Sequence, residues 1–411
     1  MKTAFLIEHF IPFATGGSEW STYYLAKDLN KLGHDITIIT PNFGSKPFER
    51  MGGVKIKRFP IYKKIKTKDS IPGNFFFTNP LWIVWSMYYT FTFLKNENFD
   101  IIHVNGKYML PPTRLANIFL HLPLVVTIRD YQVICNYGLC LWRGQKACNL
   151  KDYFFDDFKK YYSNYVTNKN VTIFLVNLVY AFWGRASRNI LKLSTYKAKV
   201  VSLSNIQKRI FEKNGIDVMS VIGNSTDFKN KKSSTKENKI IYAGRFTQGK
   251  GLSLLISILP DLIKSNPGYR FVFVGDGPLR PEIDQMAEKA KSVTVLGQIN
   301  HDKLLDEIAS SKVLVAPSVW PEPFGRVAIE ALSQKTPVVA TNVGAFPEIL
   351  SKRWGIIVRP TKKDLRRGIE SVIKHNKYYV RNITKDLPGM KDKFQKDVTG
   401  KYLKLYKSLT A

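Results

Sequence analysis

The sequence predicts an α/β protein built from two Rossmann-like domains, and three observations carry that reading. Apolar runs of strand length alternate with stretches of helical periodicity along most of the chain. The strand runs, among them KIIYAG, VLVAPS and PVVATN, are continuously apolar, which suits parallel strands covered on both faces. The length of 411 residues exceeds what one hydrophobic core usually organises, and KNKKSSTKENK at Lys229–Lys239 has the composition of a linker. The expected division is residues 1–223 and residues 224–386, with a terminal helix over 387–411 joining the first domain.

In chain order, KTAFLIEH reads as a buried strand, Thr15-Gly16-Gly17 as a loop, Ser18–Leu32 as a helix and DITIIT as the next strand. Paired glycines between strand and helix let a sugar or phosphate approach bare backbone. There is no G-x-G-x-x-G, so a dinucleotide cofactor gains no support. VKIKRFPI (Val54–Ile61) is a third strand. The lysine cluster YKKIKTK (Tyr62–Lys68) follows, and then Phe75–Leu94, a stretch without a charged residue. Its length meets the threshold for a membrane span, but polar residues dilute it and Trp and Tyr recur through its middle. An interfacial helix, an internal core helix and a span all remain open for it.

DIIHVNG (Asp100–Gly106) and LVVTIRDYQVIC (Leu124–Cys135) read as two more buried strands, whose carboxyl ends are where an open parallel sheet binds ligands. His103 lines such a cleft or is a satisfied core residue; Arg129 and Asp130 are candidates for the same space, Arg129 as an anion donor. Asp152–Lys199 is aromatic, basic and helical, and KVVSLS, a helix Asn205–Asn214 and SVIGN complete the first domain. The second half gives about six strands alternating with helices, then a helical end from about Lys391.

The charge is extreme: 63 Lys+Arg against 32 Asp+Glu, a net +31. Such a field calls for an anionic partner, which nucleic acid, an acidic membrane or a phosphorylated substrate would all satisfy. No zinc-finger, RNP-like or basic-helix motif supports nucleic acid. Cys135, Cys140 and Cys148 share one loop and leave an odd count, which argues for a structural loop rather than a disulfide framework or a zinc site. The opening MKTAFLIEHF is too short an apolar run for a signal peptide, so a cytoplasmic site is expected.

The densest chemistry lies in APSVWPEPFGRVAIEALSQ (Ala316–Gln334). Pro321 and Pro323 bar a helix before Phe324, which places Glu322 in a loop at a helix mouth, where unpaired N–H groups attract anions. Glu330 falls inside that helix among Val327, Ile329 and Leu332. A carboxylate so surrounded needs donors, and sugar or ribose hydroxyls would supply them. Upstream, GRFTQGKG (Gly244–Gly251) sets Arg245 and Lys250 among glycines at a strand-to-helix turn.

This E-x7-E spacing with its PEPFG lead-in resembles the signature of retaining glycosyltransferases of family 4. GRFTQGKG, TGGSE (Thr15–Glu19) and NVGAFPEIL (Asn342–Leu350) fall where that family has its other motifs. The resemblance implies the GT-B fold: two Rossmann-like domains facing each other across a cleft, with the C-terminal helix crossing back. It implies that Glu322, with the Phe324 and Gly325 amides, meets the donor sugar, and that Glu330 meets the nucleotide ribose. Arg245 and Lys250 would hold the diphosphate beside Gly244, with Gly16 and Gly17 as the N-terminal donor loop. Family members commonly carry His-Asp where this chain has Arg129-Asp130. No D-x-D stands near a strand end, so a metal-independent hexosyltransferase without cofactors is expected, the nucleotide-sugar being a substrate. The lysine cluster and aromatic run point to a lipid-linked saccharide or glycolipid acceptor at an anionic membrane surface. A nucleic-acid-binding protein and a sugar-nucleotide epimerase of the same fold are the alternatives.

Overall fold

The computed structural model describes residues 1–14, 16–61, 76–137, 149–166, 170–226, 228 and 235–410. The chain forms two compact units, Met1–Ser225 with Lys396–Ala411, and Thr226–Gln395.

The first unit is built on an eight-stranded sheet: β1 (Lys2–Leu6), β2 (Asp35–Pro41), β3 (Phe48–Met51), β4 (Val54–Phe59), β5 (Ile101–Val104), β6 (Leu124–Thr127), β7 (Lys199–Ser202) and β8 (Ser220–Val221). Its order is β3-β4-β2-β1-β5-β6-β7-β8. Neighbours are parallel except β3 and β4, which form a hairpin closed between the paired residues Met51 and Val54 by Gly52-Gly53. β3 is absent from the sequence reading. The expected strand Leu124–Cys135 stops at Thr127, because the Asp130 carboxylate accepts the Gln132 amide at 2.9 Å and turns the chain. The helix Asp397–Thr410 belongs here too. Its Val398, Tyr402, Leu405 and Tyr406 share one buried cluster with Phe5, Leu25 and Ile38.

The uncharged run forms the helix Pro80–Lys95, started by Asn79, whose side chain accepts the Trp82 amide at 2.7 Å. It buries Trp82, Ser86, Thr90 and Leu94, a stripe of four-residue spacing, and exposes Leu81, Val84 and Tyr88. Among the described residues no helix is long and apolar enough to cross a membrane. The cluster Tyr62–Lys68 lies outside the described residues, as do Thr15, Cys140 and Cys148. Cys135 is buried, and no described group of three His, Cys, Asp or Glu could hold a metal.

The second unit carries a six-stranded, wholly parallel sheet: β9 (Glu237–Ala243), β10 (Arg270–Val274), β11 (Val293–Gly297), β12 (Ser311–Ala316), β13 (Val338–Thr341) and β14 (Gly355–Val358), in the order β11-β10-β9-β12-β13-β14. Glu237–Lys239, read as linker from composition, belongs to β9. Lys239 is buried there, and its ammonium is met by Glu307 at 2.7 Å.

Both sheets reverse direction once. In the first unit the chain builds outward from β1 on one side and from β5 on the other; in the second, from β9 and from β12. Loops leaving the carboxyl ends of such a central pair diverge to opposite faces, and the crevice between them is where open α/β sheets take ligands. Each unit therefore has one place where a site is expected.

Candidate functional site

In the second unit, the loops after β9 and β12 are Gly244–Gly251 and Pro317–Gly325, the two segments singled out by the sequence. They are bonded to each other: the Gly249 carbonyl accepts the Val319 amide at 3.0 Å and the Trp320 amide at 3.3 Å. Across this seam the Lys250 ammonium meets both oxygens of Glu322, at 2.8 and 2.7 Å, and Ser318 Oγ donates to one of them at 3.3 Å. Arg245 is exposed on the same turn. A third loop closes behind Glu322. The Ala345 amide donates to the Glu322 carbonyl at 2.8 Å, and a Cβ on Gly344, which has φ +67°, would stand 2.1 Å from the Glu322 nitrogen. No other residue type fits so close to that backbone.

The glutamate helix starts at Arg326 rather than at Phe324, since Gly325 takes a left-handed conformation with φ +76° and Phe324 is buried ahead of it. Glu330 is consequently in the second turn and buried, with its donors supplied by the protein itself. Arg326 Nε stands 2.8 Å and His301 Nε2 2.9 Å from Oε1. Burial pushes this carboxyl upward, but the Arg326 charge and the His301 hydrogen bond together hold it below the ordinary carboxylate value. The sequence offered the Arg326–Glu330 spacing of four, a helix pair that went unread; His301, at the head of the helix His301–Ser310, carried no local signal.

In the first unit, the residues after β1 and β5 are Ile7-Glu8-His9 and Asn105-Gly106-Lys107. Glu8 is buried, and its Oε2 has no hydrogen-bond partner. Gly106 backs directly against it, where a Cβ would lie 1.7 Å from that oxygen. Burial pushes the Glu8 carboxyl up to about 7, against the pull of Lys107. Lys107 is ion-paired with Asp130, which follows β6. Gly16 and Gly17 begin the helix Gly17–Lys31, whose first turn holds buried Glu19, hydrogen-bonded to Ser18 Oγ at 2.8 Å. Three carboxyl groups, Glu8, Glu19 and Asp130, around one ammonium make a patch suited to hydroxyl groups more than to phosphate. Sequence reading passed over Glu8 and Lys107, although each stands just past an apolar strand.

Of the readings for this unit, the one left open for His103 is decided in favour of a satisfied core residue, and that for Arg129 is corrected. His103 lines no cleft: it is fully buried in β5, with Nδ1 bonded to the Tyr406 hydroxyl and Nε2 2.8 Å from Thr127 Oγ1. Burial, and then the Arg129 charge, hold its pKa well below the usual histidine value. Arg129 is engaged by the fold, donating to Asn224, to Asn105 at 3.0 Å and to Thr22 at 3.4 Å. Its planar fork ties three segments together instead of standing open to an anion.

Two family descriptions match. Residues 15–228 match "Glycosyltransferase Family 4" and residues 224–385 match "Glycosyl transferases group 1". The phosphatidylinositol N-acetylglucosaminyltransferase gpi3 subunit of Schizosaccharomyces pombe is 36% identical over 137 residues, a match covering 33% of this chain and 30% of that protein. The corresponding GPI3 subunit of Saccharomyces cerevisiae is 25% identical over 381 residues, 87% of this chain and 72% of its own. Among solved structures, the sucrose-phosphate synthase of Thermosynechococcus elongatus superposes with a TM-score of 0.72 at 17% identity, covering 100% of this chain and 99% of its own. That likeness gives the fold, which is GT-B. With the family 4 description matched over residues 15–228, more than half of the sequence, the chain belongs to glycosyltransferase family 4.

Proposed function

We propose that the chain transfers a sugar from a nucleotide-sugar donor to a glycolipid or lipid-linked saccharide, with retention at the anomeric carbon and without a metal ion. The observation that carries this reading is the Lys250–Glu322 pair at the carboxyl ends of β9 and β12, flanked by a glycine-rich turn and by buried Glu330. Breaking the donor's glycosidic bond leaves negative charge on a diphosphate. Arg245 and the third N–H of Lys250 would meet that charge, a fixed electrostatic stabilisation of the leaving group. Glu322, with the Phe324 and Gly325 amides, would orient the donor sugar, and Glu330 the ribose. With both its oxygens held by an ammonium, Glu322 is a poor nucleophile, so we assign front-side attack by the acceptor hydroxyl through an oxocarbenium-like ion pair rather than a covalent intermediate.

We assign the acceptor to the carboxyl ends of β1 and β5, where the unpartnered Glu8 oxygen would accept a hydrogen bond from a sugar or inositol hydroxyl. The curated relatives named for phosphatidylinositol support a phosphoinositide-type lipid as the first acceptor to try. A thermal-shift screen against UDP-, GDP-, ADP- and dTDP-sugars tests the donor half. One nucleotide-sugar should stabilise the protein, and product analysis with phosphatidylinositol should then show a glycosylated lipid. No stabilisation by any donor, with steeply salt-dependent RNA binding in its place, would overturn the reading.

A further inference from the structure

The helix Val171–Ser194 has two halves of opposite character. Its second half carries Arg185, Arg188 and Lys192 and is anchored by one buried stripe, Ala181, Gly184, Ser187, Leu191 and Ser194. Its first half, Val171–Phe182, has no charged residue and is mostly exposed. Val171, Leu175, Val179 and Phe182 are 76, 54, 64 and 60% exposed. Their spacing of four, four and three sets them on one continuous face. The margins of the stripe are not bare: Phe174, beside it, packs on Phe158 with ring centres 5.6 Å apart, and Phe182, at its end, keeps one side on Phe154 at 4.5 Å. The segment that supplies those rings adds exposed Phe155 and the exposed lysines Lys151, Lys159 and Lys160, the last leaning 3.7 Å from Asp156.

Soluble proteins rarely leave so continuous an apolar face in water, and its composition selects the occupant. Val171–Phe182 is about 18 Å long at ~1.5 Å per residue, well short of the ~30 Å hydrocarbon core, so it cannot span. An uncharged apolar stripe beside lysines matches the headgroup boundary of an anionic bilayer, with aliphatic and aromatic groups below and ammonium groups at phosphate level. We propose that Val171–Phe182, with Phe155 and its lysines, is the surface by which this protein docks on an anionic membrane. The proposal deepens the lipid-acceptor reading and rests on it, while moving the contact away from the helix Pro80–Lys95, whose aromatic Trp82 is buried.

Flotation with vesicles of phosphatidylcholine alone, and of phosphatidylcholine with phosphatidylglycerol, tests it. The wild-type protein should float with the anionic vesicles and be released by high salt. The double substitution Leu175→Asp/Val179→Asp should weaken vesicle binding by about tenfold or more, and Lys159→Glu/Lys160→Glu should abolish the preference for anionic lipid. Val171→Asp, at the most exposed position of the stripe, guards against a folding defect in the double variant, and unchanged thermal unfolding certifies both. Failure of the wild type to float with anionic vesicles at low salt would overturn the proposal, as would variants that float unaltered. A wild type that dimerises without vesicles, and that Leu175→Asp/Val179→Asp renders monomeric, would assign the face to a second copy and overturn it equally. Donor-induced thermal shift reads the glycosyl-transfer assignment separately: its loss with flotation intact would sink that reading alone.

Discussion

Lys250 and Glu322 show how far a pair of charges reads from sequence. Their types and positions were visible, yet they stand 72 residues apart in the chain, and only the parallel sheet brings their loops together. Glu322→Gln removes one charge of the pair and the acceptor proposed for a donor hydroxyl. We expect kcat/KM to fall by about two to three orders of magnitude, ~2–4 kcal/mol of transition-state stabilisation, with little change in thermal unfolding. Wild-type turnover in the purified variant would remove Glu322 from the site. Glu8 makes a prediction of the opposite kind, about folding. Its carboxyl titrates at about 7 in the folded protein and near 4.5 when unfolded, with Lys107, Glu19 and Asp130 as the charges that face it. Between those values the folded state binds the extra proton, so this group's stabilisation is full below pH 4.5 and is lost as pH rises to 7, a change of about 3 kcal/mol. Glu8→Gln carries no such proton. Its melting temperature relative to wild type should therefore rise between pH 4 and pH 8, and a constant difference across that range would contradict the assignment.

At the scale of elements, the strands were legible wherever burial is complete, because a strand covered on both faces must be a continuous apolar run. Pieces that depend on a turn were not. β3 lies half exposed, with charged Glu49 and Arg50 side by side between Phe48 and Met51, and its sole cue was the Gly52-Gly53 pair. The apolar letters after β6 look like more strand, but Tyr131, Val133 and Ile134 are buried by a turn instead. His103 was ambiguous because satisfaction comes from Tyr406, 303 residues away, and no local pattern can report that. The glycine loop behind Glu322 carries the clearest element-scale prediction. In Gly344→Ala a methyl group must displace the Glu322 backbone, and the left-handed conformation adds strain, each worth ~1 kcal/mol or more. Both donor affinity and melting temperature should drop. A variant with unchanged donor affinity would show that the loop can yield without moving Glu322.

For the whole molecule, composition announced a large anionic counterpart without saying which surface meets it. The lysines that prompted that thought in the sequence lie outside the described residues, and the exposed apolar face turns up on a different helix, Val171–Ser194. Periodicity could not distinguish that face from a buried one, because an uncharged helix segment reads the same in a core as on a surface. On the proposed site, transfer activity should persist in EDTA, since Arg245, Lys250 and the backbone around them would supply the positive charge a metal would bring. Activity lost in EDTA and restored by Mg²⁺ or Mn²⁺ would reverse that expectation.

The helix Asp397–Thr410 ties the last stretch of the chain to the first, since Tyr402 and Tyr406 fill the core beside β1 and satisfy Thr127 and His103. A ribosome releases these segments in the reverse of the order in which they are needed. The second unit, contiguous over Thr226–Gln395, has every strand of its sheet in hand while the first still lacks a wall of its core. Nascent chains halted once Gln395 has emerged from the ribosome should therefore yield a protease-resistant second unit and a first unit that is still digested, and resistance should spread to the first unit only once Tyr406 has emerged.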